Sequence, residues 1–185
     1  MPDKSKKAAK KPEPEYIDLV INHELRGVTP EMILWWGGHI DNSERYRLWH
    51  PEDHISFEWE VPPSKSGHFG AIHVAEEKIG RSPPIKIRIR YVDPATSPIK
   101  TTYPYVAAGC SLGPNDEPRG WSCHELKPEP WGTRMRSTFR LPANIPKEAL
   151  EALRRHNIRE MGRLPEFLPE LYRKETGSDS SKKER

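Results

Sequence analysis

Residues 85–91 read Ile-Lys-Ile-Arg-Ile-Arg-Tyr, with apolar and basic side chains in strict alternation. On a helix that order would scatter the apolar groups around every face, whereas on a strand it lines them along one side. The segment therefore predicts a strand with one buried face and one wet face, as in an antiparallel sheet covered on one side. Twenty prolines act in the same direction, because each removes a backbone donor and interrupts long regular runs. With only 34% hydrophobic residues, a large helical bundle is excluded and short strands between Pro-marked loops are expected.

Further strands are predicted at 17–21, 55–60, 70–80, 103–109, 121–126 and 135–141, where apolar residues alternate or cluster between turn-forming residues. Thr29-Pro30-Glu31 has the order of a helix start, and Gly37-Gly38 is expected to stop that helix. Residues 41–45 read as a polar connection. Asn144 and Pro146 open a C-terminal helix of good helix formers, expected to end at Gly162 and Pro165. The order predicts an α+β fold in which a curved antiparallel sheet grips the C-terminal helix.

Residues 1–15 and 177–185 are rich in charged and small residues without apolar periodicity, and both read as disordered tails flanking one domain at 16–176. The net charge of +3 owes much to the Lys-rich N-terminal tail, which is read as solubilising, and no nucleic-acid partner is expected. No run is apolar enough for a membrane span or signal peptide, so a cytoplasmic protein is expected. Cys110 and Cys123 read as free thiols of a reducing compartment.

Reactive side chains concentrate in two places. His50 follows Leu48-Trp49 and precedes Pro51, which biases it away from helix. It is therefore expected at an extended corner feeding the strand at 55–60. On the C-terminal helix, Ala149, Leu153, His156 and Glu160 fall on one stripe. An imidazole and a carboxylate turned inward need a compensating charge, and a divalent metal supplies it. The Glu76-Glu77 pair closes the strand at 70–80; adjacent strand residues face opposite ways, so one of the two can reach a pocket. His124 is the candidate acid/base residue. Tyr46 and Asp53 flank His50 and are candidates to hold substrate hydroxyls or to orient a ligand. His54 reads as an orienting or structural residue, and His23, His39 and His68 as surface residues. There is no Gly-rich phosphate loop, CxxC pair or Gly-x-Ser-x-Gly elbow.

Trp35-Trp36, the stretch 46–54, Glu77-Lys78-Ile79-Gly80, Gly132-Thr133-Arg134-Met135-Arg136-Ser137, His156 to Glu160 and the Leu164-Pro165-Glu166-Phe167-Leu168-Pro169 run resemble, in that order, the diacetylphloroglucinol hydrolase and phloretin hydrolase family. Ser137-Thr138-Phe139 departs from the more basic form expected there. The resemblance implies a Bet v 1-like (START-like) helix-grip fold. It also implies a zinc enzyme that hydrolyses the carbon–carbon bond between an acyl group and a polyphenol ring. By that match the zinc ligands are His50, Glu77, His156 and Glu160, with Glu77 favoured over Glu76 by alignment on Ile79-Gly80, and His124 falls on the acid/base histidine. The implied partner is a small aromatic or polyphenolic substrate, and a homodimer is compatible with it. Two other readings remain open at this point: the same metal with different chemistry on another aromatic ketone or polyketide, and a metal-free carrier of an apolar ligand.

Overall fold

The computed structural model describes residues 15–65 and 67–177. Nearly all of both predicted tails therefore lies outside the described residues. Seven strands form one antiparallel sheet: β1 (Tyr16–Arg26), β2 (His54–Val61), β3 (Ile72–Glu77), β4 (Ile85–Val92), β5 (Tyr105–Leu112), β6 (Pro118–Glu129) and β7 (Gly132–Pro142). Their order across the sheet is β1-β7-β6-β5-β4-β3-β2, so the chain meanders from β2 to β7 and β1 closes the far edge against β7. Helices α1 (Pro30–His39) and α2 (Ser43–Trp49) carry the chain from β1 to β2, and α3 (Lys147–Thr176) lies along the sheet.

Three expectations about the helices are corrected. Gly37-Gly38 does not stop α1, which continues to His39. The glycines instead admit close neighbours: the Tyr91 hydroxyl donates to the Gly37 carbonyl at 3.1 Å, and the His68 ring occupies the space a β-carbon at Gly38 would fill. Residues 43–49 form α2 instead of a plain connection, because the Asn42 side chain accepts from the Arg45 amide at 2.9 Å and caps a short helix. Finally, α3 runs through Gly162, Pro165 and Pro169 to Gly177, whose left-handed φ of 66° ends it. A proline inside a helix costs about 3 kcal/mol. Met161, Leu164 and Leu168 bury their side chains in the main core, however, and each is worth about 2–5 kcal/mol against truncation. Packing therefore wins over local preference.

That core joins Leu25 and Val28, Trp36 of α1, Tyr46 of α2, Phe57, Ala75, Leu126 and Met135 of the sheet, and the C-terminal half of α3. The N-terminal half of α3 is less enclosed. Ala149 is exposed and Leu153 half-buried, and both line a cavity of about 1280 Å³ between α3, α1 and the concave face of the sheet. The stripe that predicted a core surface thus borders a cavity at one end and enters the core at the other. Cys110 and Cys123 are buried free thiols, and among the described residues no helix is long and apolar enough to cross a membrane.

Candidate metal centre

Strand register sets up one end of the cavity. His54 opens β2 and is the cross-strand partner of Glu77, the last residue of β3, so both side chains share the concave face. Glu76 points to the other face, where it accepts from the Ser56 hydroxyl at 3.2 Å. Glu77 therefore lines the cavity together with Tyr46, His124, His156 and Glu160. His156 and Glu160 are one turn apart on α3 and both buried.

Each of four side chains in this cluster has one atom anchored and the other left free. His54 Nδ1 lies 3.0 Å from the Tyr46 carbonyl; a carbonyl only accepts, so Nδ1 carries the proton and Nε2 keeps its lone pair. That Nε2 is buried without a hydrogen-bond partner and faces Glu160 Oε1 at 3.6 Å. His156 Nδ1 donates to Asp53 Oδ2 at 2.9 Å, leaving its Nε2 lone pair 3.7 Å from Glu77 Oε2. The Tyr46 hydroxyl donates to Glu77 Oε1, and Asn157 Nδ2 donates to Glu160 Oε2 at 3.3 Å. The remaining atoms form two close pairs, His54 Nε2 with Glu160 Oε1 and His156 Nε2 with Glu77 Oε2. Ligand atoms about 2.1 Å from a tetrahedral zinc lie about 3.4 Å from one another, close to the spacing found. His54, His156 and Glu160 alone form a triad with ligand atoms within 4.8 Å of each other. The donor set therefore fits a divalent cation, and the two carboxylates balance its charge.

The electrostatics give the same answer from the opposite direction. Burial drives His54 down to about 3, so it stays neutral. Burial, reinforced by the Glu77 charge, drives Glu160 up to about 7 despite the opposing pull of His156. Burial also opposes a charge on His156, but Glu160, Glu77 and Asp53 outweigh it and raise its pKa. Tyr46 is pushed well above its ordinary value by burial and by the two glutamates.

His50, expected among the ligands, is placed differently. Its Nδ1 accepts from the Asp53 amide at 3.2 Å, so in the neutral ring Nε2 carries the proton, which faces Asp53 Oδ2 at 3.4 Å. Its ring stacks on His156 at 4.8 Å. A second triad of His50, Asp53 and His156 also lies within ligand spacing. Asp53 is thus engaged with His156 and is not among the cavity-lining residues, whereas Tyr46 lines the cavity and is stacked on His54 at 3.8 Å. The signal that could have favoured His54 is parity: it lies in the alternating strand, and His50 lies before it.

His124 on β6 lines the cavity beside Phe139. Its Nδ1 is 3.0 Å from the Ser137 hydroxyl on β7, and burial, with His23 nearby, lowers its pKa to about 4. His23 is corrected from a surface residue to a buried one, bonded to Asn157 of α3. The sequence reading passed over His73, which also lines the cavity. It is wedged among Phe57, Trp59 and Tyr91, its Nδ1 is unpartnered, and burial lowers its pKa to about 4.

Residues 18–173 match the family model described as the DAPG hydrolase PhiG domain. No curated protein matches the chain. Among solved structures it is similar to the Bet v 1 allergen Ara h 8.0201, with a TM-score of 0.57 and 12% identity over 83% of this chain and 98% of that one. It is likewise similar to protein NE0264 from Nitrosomonas europaea, with a TM-score of 0.53 and 18% identity over 87% and 97% of the two chains. Protein MLL2253 from Mesorhizobium loti has a TM-score of 0.53 and 13% identity over 83% and 98%. At these identities the likeness is one of fold, the helix-grip fold.

Proposed function

The chain belongs to the DAPG hydrolase PhiG-domain family, a hydrolase family, and from that premise we propose that it is a zinc-dependent hydrolase cleaving the carbon–carbon bond between an acyl group and a polyphenol ring. The observation that carries this reading is the buried triad of His54, His156 and Glu160, with ligand atoms within 4.8 Å of one another, and Glu77 beside His156 at the end of a largely apolar cavity. The proposed ligand set replaces His50 by His54, on the tautomers that the Tyr46 carbonyl and the Asp53 amide impose.

When bound, zinc would polarise an acyl carbonyl or lower the pKa of a water. The chain supplies the rest. Asp53 and the Tyr46 carbonyl hold the two imidazoles in the tautomer and orientation that binding needs. Tyr91 and Phe139 offer aromatic surface to a planar ring. In the overall reaction the hydroxyl of water ends on the acyl carbon, the acyl–ring bond breaks with its electron pair going to the ring, and the ring carbon takes the proton. Ring hydroxyls spread that charge, the proton is the one that water gives up, and His124 is the residue proposed to hold the substrate through a hydrogen bond as that proton moves. Tyr46 and His73 are the groups placed to meet polar substituents of the substrate.

A carrier of apolar ligands would have no use for a buried His/Glu cluster with metal-ligand spacing.

Metal stoichiometry by mass spectrometry on protein purified without added zinc, beside His156→Ala/Glu160→Ala, tests the centre. The expected result is one zinc per chain in the wild type and none in the variant. A panel of acylated phloroglucinols, read by release of the acid and the deacylated ring, tests the reaction. A folded wild type that cannot be loaded with zinc overturns the reading.

A further inference from the structure

A continuous line of hydrogen bonds runs under the cavity from the metal centre to His124, and it uses two residues that the reaction does not yet account for, His23 and Ser137. Glu160 Oε2 accepts from Asn157 Nδ2 at 3.3 Å. Asn157 Oδ1 lies 3.0 Å from His23 Nε2, His23 Nε2 lies 3.3 Å from Ser137 Oγ, and Ser137 Oγ lies 3.0 Å from His124 Nδ1. Asn157, Ser137 and Glu160 are buried, as is His23. The sheet register explains how strands far apart in sequence meet here. His124 and Ser137 are direct cross-strand partners on β6 and β7, and His23 sits on β1 two residues beyond the partner of Ser137, so all three point to the concave face.

The direction of every bond in this line follows from its first member. A carboxylate that binds metal through Oε1 is ionised and can only accept at Oε2, which obliges the Asn157 amide to turn its NH2 toward Glu160 and its oxygen toward His23. An amide oxygen only accepts, so His23 Nε2 carries a proton. Ser137 Oγ, the other neighbour of that nitrogen, is therefore an acceptor from His23. Among the described residues the Ser137 hydroxyl meets only His23 and His124, and His23 cannot accept, so Ser137 donates to His124 Nδ1. His124 then has its lone pair occupied at Nδ1 and its proton on Nε2.

We infer that Asn157, His23 and Ser137 are positioning residues that transmit the orientation of the Glu160 carboxylate to His124, fixing it as the Nε2–H tautomer so that it meets the substrate as a hydrogen-bond donor and not as a base. This rests on the proposed zinc centre and deepens it. It assigns a function to a buried histidine and a buried serine that are otherwise unexplained, and it agrees with the low basicity of His124. A neutral imidazole can polarise a substrate oxygen only from the nitrogen that bears the proton, and the other nitrogen here is committed to Ser137.

The test is 15N NMR of histidine-labelled, zinc-loaded protein, with His124 identified by its loss in His124→Gln. The wild type is expected to show His124 protonated at Nε2 and accepting at Nδ1. Ser137→Ala, which removes one oxygen, is expected to give a mixture of tautomers, and to lower kcat with KM and zinc content unchanged. His23→Phe should lower the Nε2–H fraction and His23→Gln, which retains an N–H, should restore it. A wild-type His124 protonated at Nδ1, or a Ser137→Ala spectrum indistinguishable from wild type, overturns the inference. Zinc content measured on the same samples reports on the metal centre separately, because the tautomer is read without substrate or turnover.

Discussion

The protein buries carboxylates at two places that look alike by accessibility and differ in chemistry. Glu125 projects from β6 on the face opposite His124 and is sealed beneath the segment before β5. Its Oε1 accepts from the amide and hydroxyl of Thr102 and, at 3.0 Å, from the amide of Tyr103, while Arg136 faces Oε2 at 3.7 Å. Oε1 thus has three donors and the charge has a partner. Glu77 of the sheet and Glu160 of α3 each receive one donor and then face an imidazole nitrogen, His156 Nε2 at 3.7 Å and His54 Nε2 at 3.6 Å. A buried acid surrounded by donors is scaffold; one surrounded by lone pairs is a receptor for a cation.

The sharpest break of this comparison is metal content. Glu160→Gln should abolish stable zinc binding while Glu125→Gln leaves one zinc per chain, both read by mass spectrometry; equal losses would dissolve the distinction. Next in size, Glu125→Ala should lower stability by about 1–3 kcal/mol in urea unfolding, since it takes the acceptor from two part-buried amides and a hydroxyl. The cavity side has its own signature with pH. Burial holds His124 and His73 at about 4, below the 6.5 or so of the unfolded chain. Between those values the unfolded state binds protons that the folded state refuses, so stability falls as pH falls from 6.5 to 4 and the loss is complete below that window. The stability of wild type relative to His124→Phe should decline across that window by on the order of 3 kcal/mol, as measured by urea unfolding at each pH. Smallest is Asp53→Ala, expected to weaken zinc binding about 10–100-fold without removing it, as read by chelator competition.

How much of this was legible in the sequence depends on what each residue's role is made of. Strand periodicity in residues 85–91 and the stripe carrying His156 and Glu160 are local patterns, and both led to the observed elements. The ends of helices were misread where tertiary contacts decide: Gly37-Gly38 serves the approach of Tyr91 and His68, and Pro165 is tolerated because Leu164 and Leu168 are buried. His50 and His54 lie in one short stretch, and the Tyr46 carbonyl and the Asp53 amide, placed by folding, set their tautomers. His23 carries no local sign of burial, since its partners Asn157 and Ser137 are more than a hundred residues away.

The pairing of β1 with β7 and the late position of α3 impose an order of events on synthesis. Residues near 20 wait for partners near 138, and such distant closures are slow steps in folding. The His54–Glu77 half of the centre can form as soon as the β2–β3 pair does, but His156 and Glu160 leave the ribosome after every strand. A nascent chain halted before α3 can hold most of a sheet and only half a cage. Capture of the metal would then act as a proofreading signal, given only by a chain whose last helix has docked.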